Sequence, residues 1–293
     1  MEKIVIGFGE LLWDMLPAGK QIGGAPGNFA FHAAQCGMNS CLMSAVGADN
    51  LGDELLHTAD LRGLRYMISK TDKPTGTVDV RLDDNGIPQY EIHENVAWDF
   101  IPFTPEEERL VKRAEAFCFG TLAQRNDESR ATLLHLLELM KPTALKIFDI
   151  NLRQHFYDEE IIRESLSRCN VLKLNEDEIK IIGGILGDGE TNVQRLCEQL
   201  LEDYALQVLI LTCGAKGSYV MSDVEKSYLK TPQVNVVDTV GAGDAFTAAF
   251  CSAYMFGKSL QEAHRLAVEI SAYVCTQHGA MPVLPDELKN SFK

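Results

Sequence analysis

Asp238-Thr239-Val240-Gly241-Ala242-Gly243-Asp244 runs on into Ala245-Phe246-Thr247-Ala248-Ala249-Phe250. A glycine pair thus opens an apolar run, which predicts a helix with an aspartate in its first turn. The first N–H groups of a helix have no partner within it, and the positive end of its dipole lies there. Such an end favours an anion, and small residues let one approach. Asp244 conflicts with that, because it sets a carboxylate beside a resting phosphate. A general base resolves the conflict. It accepts a proton from a hydroxyl while the N–H groups hold the phosphoryl group under attack. Gly-Ala-Gly-Asp by itself also reads as a tight turn with an acidic cap, since turns and caps use these residue types.

Far upstream, Gly23-Gly24-Ala25-Pro26-Gly27-Asn28 leads into Phe29-Ala30-Phe31-His32-Ala33-Ala34-Gln35-Cys36-Gly37. This predicts a small-residue helix stopped by Gly37. The double glycine permits a ligand to approach closely, and Asn28 offers a donor and acceptors to sugar hydroxyls. The plainer reading is an N-cap Asn after a flexible turn. Ile4-Val5-Ile6-Gly7-Phe8-Gly9 reads as a buried strand. Gly7-x-Gly9-x-x-Leu12 lacks the third glycine and the following helix of a dinucleotide fingerprint, which argues against an NAD-dependent oxidoreductase. Glu10 and Asp14 share a face of the extended segment that follows.

From residue 101 onward strands and helices alternate, which implies a parallel sheet covered on both faces. Residues 75–98 differ. Thr77–Leu82 alternates, Asp83-Asp84-Asn85-Gly86 is a turn, and Gln89-Tyr90-Glu91-Ile92 continues as a strand, so a half-exposed hairpin is expected. Trp98 and Phe100 close it, either as hinge packing or as aromatics that stack on a sugar. Three polar clusters follow strands, where α/β sheets bind ligands: Asp149-Ile150-Asn151-Leu152-Arg153, Asn175-Glu176-Asp177-Glu178 and Thr212-Cys213-Gly214-Ala215-Lys216-Gly217. Asn175-x-x-Glu178 is also a capping box, yet three acids in one turn exceed what capping needs. The glycine turn at 214–217 lacks the spacing of a P-loop.

Composition narrows the partners. The 293 residues are 46% hydrophobic and carry a net charge of −15. That charge argues against nucleic acid and anionic membranes. No stretch of 18 apolar residues spans a membrane, and the first residues enter a strand without a secretory leader. Eight scattered cysteines with no Cys-x-x-Cys read as reduced thiols, which places the chain in the cytoplasm.

The 23–37 and 238–250 stretches resemble the two signatures of the ribokinase-like (phosphofructokinase-B type) carbohydrate kinases. The motifs between them come in that family's order, so the resemblance covers nearly the whole chain. It implies an α/β fold: a three-layer αβα sandwich around a central, mostly parallel sheet, with a small β-sheet lid. Residues 1–10, 25–72 and 101–293 would form the core, and 11–24 and 73–100 the lid. Gly241, Ala242 and Gly243 would form the anion hole and Asp244 the catalytic base. Asp14, Gly23, Gly24, Asn28 and Arg153 would hold the sugar. Asn175, Thr212, Gly214, Gly217, Gly243, His278 and Gly279 would face ATP. Glu178 would orient magnesium-bound water. Asp238 and Val240 would offer backbone carbonyls to a monovalent cation such as potassium. The Gly-x-Asp-x-x-Gly stretch at 47–52 is expected to be structural.

Gly-Glu-Leu-Leu-Trp-Asp and Gly-Gly-Ala-Pro-Gly-Asn look most like bacterial fructokinases, which implies phosphorylation of D-fructose to D-fructose 6-phosphate. Gly27, where many of those enzymes carry alanine, and a short 15–22 loop leave room for ribose or 2-keto-3-deoxygluconate. An acid sugar would want a lid cation, and Arg81 and Lys20 are candidates. A nucleoside kinase is less favoured. A non-catalytic sugar sensor on the same frame would be expected to lose the base, yet Asp244 is present. The resemblance also implies a homodimer through the lid.

Overall fold

The computed structural model describes residues 3–17, 19–82, 88–187 and 189–292. Its strands are β1 (Ile4–Phe8), β2 (Leu12–Leu16), β3 (Gly19–Gly23), β4 (Asn39–Gly47), β5 (Tyr66–Thr71), β6 (Thr77–Leu82), β7 (Pro88–Ile92), β8 (Ala116–Phe119), β9 (Leu145–Asp149), β10 (Val171–Asn175), β11 (Val208–Thr212), β12 (Ser218–Met221) and β13 (Lys226–Leu229). Its helices are α1 (Ala25–Gln35), α2 (Asn50–Leu61), α3 (Pro105–Val111), α4 (Asp127–Leu139), α5 (Glu159–Arg168), α6 (Glu176–Leu186), α7 (Val193–Asp203), α8 (Ala242–Met255), α9 (Leu260–Val274) and α10 (Asp286–Asn290).

Nine strands form the main sheet in the order β13-β12-β11-β10-β9-β8-β1-β4-β5. Pairs from β11 across to β5 are parallel, and β12 and β13 add an antiparallel edge. The strand residues alternate between two cores, as a period of two requires. Ile4, Ile6 and Phe8 pack with residues of α3 to α7, whereas Val5 packs with α1, α8 and α9. Both faces are therefore covered, which is why the central strands read as unbroken apolar runs.

The chain builds outward from β1 to β4 and β5. It then returns to β8, beside β1, and builds the other way. The β1/β8 border is where strand order reverses, the usual place for ligands beyond the carboxyl ends of such strands.

A second sheet runs β3-β2-β6-β7. The expected 15–22 loop is instead most of a hairpin, paired from Leu12↔Gly23 to Leu16↔Gly19. Pro17 and Gly19 punctuate the segment, and β3 is an exposed edge at Lys20 and Gln21, so it shows no apolar signal. The predicted 77–92 hairpin is present, but its turn at 83–86 and the Arg81 side chain lie outside the described residues. Trp98 is fully buried, and a Cβ on Gly76 would lie 2.2 Å from its Nε1. It is a packed hinge and not a sugar platform. Asp49 caps α2 and also accepts the Thr75 N–H at 2.8 Å, so the 47–52 stretch is structural as expected. Among the described residues no helix is long and apolar enough to cross a membrane.

Candidate active site

α8 begins at Ala242, with Gly241 as its N-cap at φ 76°. A Cβ at Gly241 would meet the Ala280 carbonyl at 2.7 Å, so only glycine fits this turn. The Ala242 N–H turns back to the Thr239 carbonyl at 3.3 Å. Helix geometry leaves the next N–H groups, on Gly243 and Asp244, to face outward from the first turn. Asp244 is the acid of that turn.

α1 starts earlier than expected. Gly24 is its N-cap, Pro26 lies in the first turn, and Asn28 is already inside the helix. Asn28 is therefore not a cap. Its Nδ2 donates to Asp244 Oδ2 at 2.8 Å, and its Oδ1 is buried with no hydrogen-bond partner. Such an acceptor costs free energy until a donor arrives, and a sugar hydroxyl is one.

The double glycine serves packing more than ligand approach. A Cβ on Gly23 would fall 2.4 Å from Asp14 Oδ2. One on Gly24, at φ 116°, would fall 2.3 Å from the Glu10 carbonyl. Gly23 thus lets the Asp14 carboxylate lie against β3, and Gly24 lets the Glu10 backbone close on the start of α1. Glu10 Oε1 accepts the Ala25 N–H at 3.0 Å, at the positive end of α1.

Three carboxyl groups of these segments have raised pKa values. Burial pushes Glu10 up to about 7, against the hydrogen bond from Ala25. Burial also lifts Asp14 to about 6, opposed by the Arg153 charge. Asp244 rises to about 6 through burial and the neighbouring Asp149 charge, opposed by the Asn28 hydrogen bond and by Lys173 and Arg153. Raised carboxylates cluster where chemistry is done, although burial for packing raises them as well. Glu10, Asp149, Asn151 and Asp244 line a cavity of about 20 Å³ at the β1/β8 border, enough for one water.

Beneath this lies a buried ion pair. Lys173, in mid-β10, places Nζ 2.9 Å from Asp149 Oδ1. Thr247 Oγ1 lies 3.0 Å from the other Asp149 oxygen. A Cβ on Gly243 would be 3.2 Å from Lys173 Nζ, so the ammonium sits directly behind the first turn of α8. The sequence reading passed over Lys173, although a lysine inside Val-Leu-Lys-Leu was a signal.

On the other side of α8 opens a cleft of about 1050 Å³. Of the residues expected to face ATP, Asn175, Thr212, Gly214, Gly217 and Gly243 line it. His278 and Gly279 do not. His278 is exposed elsewhere, and the Gly279 N–H donates to Asp238 Oδ2 at 3.1 Å. Two walls were missed: the extended Thr231–Val236 segment, and Val268, Ser271, Ala272 and Cys275 at the end of α9. The exposed Val236 and Val237, apolar residues in a polar stretch, carried a signal.

The acids at 176–178 each have a post. Glu178 Oε2 accepts the Asn175 N–H at 2.8 Å and Oε1 the Leu152 N–H at 3.0 Å. Glu176 pairs with Lys216 at 3.0 Å and Asp177 with Lys180 at 3.3 Å. The surplus of acid thus needs no metal to explain it, and Lys216 is engaged by Glu176. Among the described residues no three His, Cys, Asp or Glu side chains converge on a metal-binding point. Arg153 is exposed and donates to the Leu152 carbonyl, with its charge felt at Glu10, Asp14 and Asp244. Asp238 Oδ1 accepts the Val240 N–H at 3.0 Å, so this carboxylate ties the 238–240 turn to Gly279.

Comparison with known proteins places the chain among sugar kinases by family. The chain is 28% identical to an ATP-dependent 6-phosphofructokinase of Thermoanaerobacterium thermosaccharolyticum, over 96% of this chain and 91% of that one. It is 27% identical to Fructokinase-1 of Oryza sativa subsp. japonica, over 98% and 96%. The solved structure of an uncharacterized sugar kinase, PH1459, from Pyrococcus horikoshii in complex with ATP superposes with a TM-score of 0.82 at 25% identity, covering 99% of this chain and all of that one. The profile of the pfkB family carbohydrate kinases matches residues 8–287, and the chain belongs to that family.

Proposed function

We propose that the protein transfers the γ-phosphoryl group of ATP to a primary hydroxyl of a neutral monosaccharide, D-fructose foremost, to give D-fructose 6-phosphate. The observation that carries this reading is the place of Asp244. It stands at the helix end between the large cleft and the carboxylate pocket, hydrogen-bonded to Asn28. ATP is the phosphoryl donor for the cleft, as it is the ligand in the PH1459 structure.

In this reading Asn28 and Asp14 hold the sugar, and Asp244 receives the proton of the hydroxyl that attacks. A sugar hydroxyl is too weak an acid for early removal, so the proton moves late in a loose transition state. The Gly243 and Asp244 N–H groups hold the charge of the phosphoryl group in flight. Lys173 adds positive charge from behind. Among the described residues no cluster of side chains cages a metal ion. Glu178 holds Asn175 in place and would meet a nucleotide-bound magnesium ion through water, the ion supplying charge to the phosphates. A potassium ion on the Asp238 and Val240 carbonyls would stiffen a turn that Asp238 already ties to Gly279.

Charge selects the sugar. Glu10, Asp14 and Asp244 repel an anion, and Lys20, on the lid, is paired with Glu54 above Trp13. That disfavours sugar phosphates and acid sugars. Arg153 is the feature that speaks for an acid sugar as the second reading. ADP release should be measured with ATP, magnesium and potassium across fructose, ribose, 2-keto-3-deoxygluconate, fructose 6-phosphate and adenosine. Fructose is expected to lead in kcat/KM by at least about tenfold, the discrimination that a few placed contacts supply. A lead for 2-keto-3-deoxygluconate would overturn the neutral sugar and give Arg153 its carboxylate.

The pH dependence follows from Asp244. The base works ionised, so kcat/KM should be level above about pH 7, halve near pH 6 and fall with further acid as Asp244 protonates. A profile level down to pH 5 would remove Asp244 from the role.

A further inference from the structure

α1 carries three polar side chains on one stripe: Asn28, His32 and Gln35, at i, i+4 and i+7. Asn28 reaches Asp244. One turn on, His32 Nε2 lies 2.9 Å from the Ala280 carbonyl. One turn further, Gln35 Nε2 donates to the Pro282 carbonyl at 3.1 Å, and its Oε1 accepts the Leu284 N–H at 2.8 Å. The stripe therefore runs from the base along the segment that follows α9.

His32 is fully buried. A carbonyl only accepts, so Nε2 carries the proton and Nδ1 is a bare lone pair. Nδ1 is buried with no hydrogen-bond partner. Burial also holds the ring neutral, with its pKa lowered to about 4. An apolar side chain would fill this site without leaving an acceptor unmet. The target of the bond accounts for the histidine. Backbone atoms of Ala280 lie under Gly241, where a Cβ would meet its O at 2.7 Å and its Cα at 2.8 Å. Gly241 is the N-cap from which the N–H groups of α8 rise.

We propose that His32, supported by Gln35, is a positioning residue for phosphoryl transfer: it fastens Ala280 to α1, so that the helix holding the sugar sets the position of the helix end holding the phosphoryl group. The inference rests on the kinase reading. Neither side chain touches a substrate. Their effect is on distance, to which in-line transfer is sensitive, with about 100-fold lost for a misplacement of about 1 Å.

The test compares His32→Leu, His32→Gln and Gln35→Met in the full chain. Glutamine presents an N–H at similar reach, with its amide oxygen in place of the unmet Nδ1 acceptor. In His32→Leu, kcat should fall about 10- to 100-fold, while KM for sugar and for ATP stays near wild type. Hydrogen exchange of the 239–246 segment should quicken at least about tenfold, because opening there becomes easier. His32→Gln should restore both readouts, and Gln35→Met should move both less far in the same direction. Wild-type kcat and exchange in His32→Leu, or a loss in His32→Gln as deep as in His32→Leu, would overturn the fastening. If His32→Leu fails to fold, unchanged exchange in Gln35→Met does so. Exchange is read without turnover. A wild-type protein that phosphorylates no sugar would refute the kinase reading, and the exchange comparison would still decide the fastening.

Discussion

Asp244→Asn should fold, melt above the wild type at neutral pH, and lose about 100- to 10,000-fold in turnover, the range for removal of a positioned general base. The two halves of this result have one cause. Burial and the Asp149 charge lift the folded-state pKa of Asp244 from 3.8 to about 6. The folded state therefore binds a proton more tightly than the unfolded chain does. Ionising Asp244 costs the fold roughly 2–3 kcal/mol above about pH 6, and the cost vanishes below the unfolded value. Asparagine removes the charge and still accepts from Asn28. The melting difference should be largest at neutral pH and close as the pH falls through 6 toward 4. Turnover within tenfold of wild type would sink the base assignment. A variant less stable than wild type at pH 7 would show that the carboxylate is not strained.

Lys173→Met should be the most damaging single change at the site, at about 3–5 kcal/mol, because it leaves the Asp149 carboxylate buried without its cation. Burial works to discharge the Lys173 ammonium, but the Asp149 and Glu178 carboxylates outweigh it and raise its pKa. A raised lysine contributes its stability in full below its unfolded value near 10.5 and loses it only as the pH climbs through the folded value. The loss in Lys173→Met should therefore be constant across neutral pH. At roughly 2–4 °C per kcal/mol, melting should drop by about 10 °C. Asp149→Asn combined with Lys173→Met should recover much of it, since no charge is then stranded. A double variant no better than the single one would mean that packing around the lysine stem, and not the pair, is what counts.

Much of this site was legible in the chain because local chemistry announces it. Asn175-x-x-Glu178 is a capping box by spacing, and it is one in space. Gly241 and Asp244 fixed a helix start within four residues of where it lies. What stayed hidden depends on contacts between distant segments. Gly23 and Gly24 looked like room for a ligand, but the room is filled by Asp14 and Glu10. Asn28 looked like a cap because the helix start was placed too late. β3 has polar edge residues and so no alternation of its own. The wall at 231–236 is extended chain without a period, and only its position beside α9 makes it a wall. The Asp149–Lys173 pair joins the end of β9 to the middle of β10, and that these strands are neighbours in the sheet cannot be read from either.

The hydrogen bond between Asn28 and Asp244 joins residues 216 positions apart. On a ribosome, α1 is therefore made long before α8, and until α8 and α9 emerge nothing covers Phe29, Ala33 and the strand residues beside them. Contacts this distant are slow to form, and exposed apolar faces are what chaperones hold and aggregates recruit. A nascent chain stalled before residue 242 should thus be sticky and idle, however complete its sheet, and the last fifty residues decide at one stroke whether it folds and whether it works.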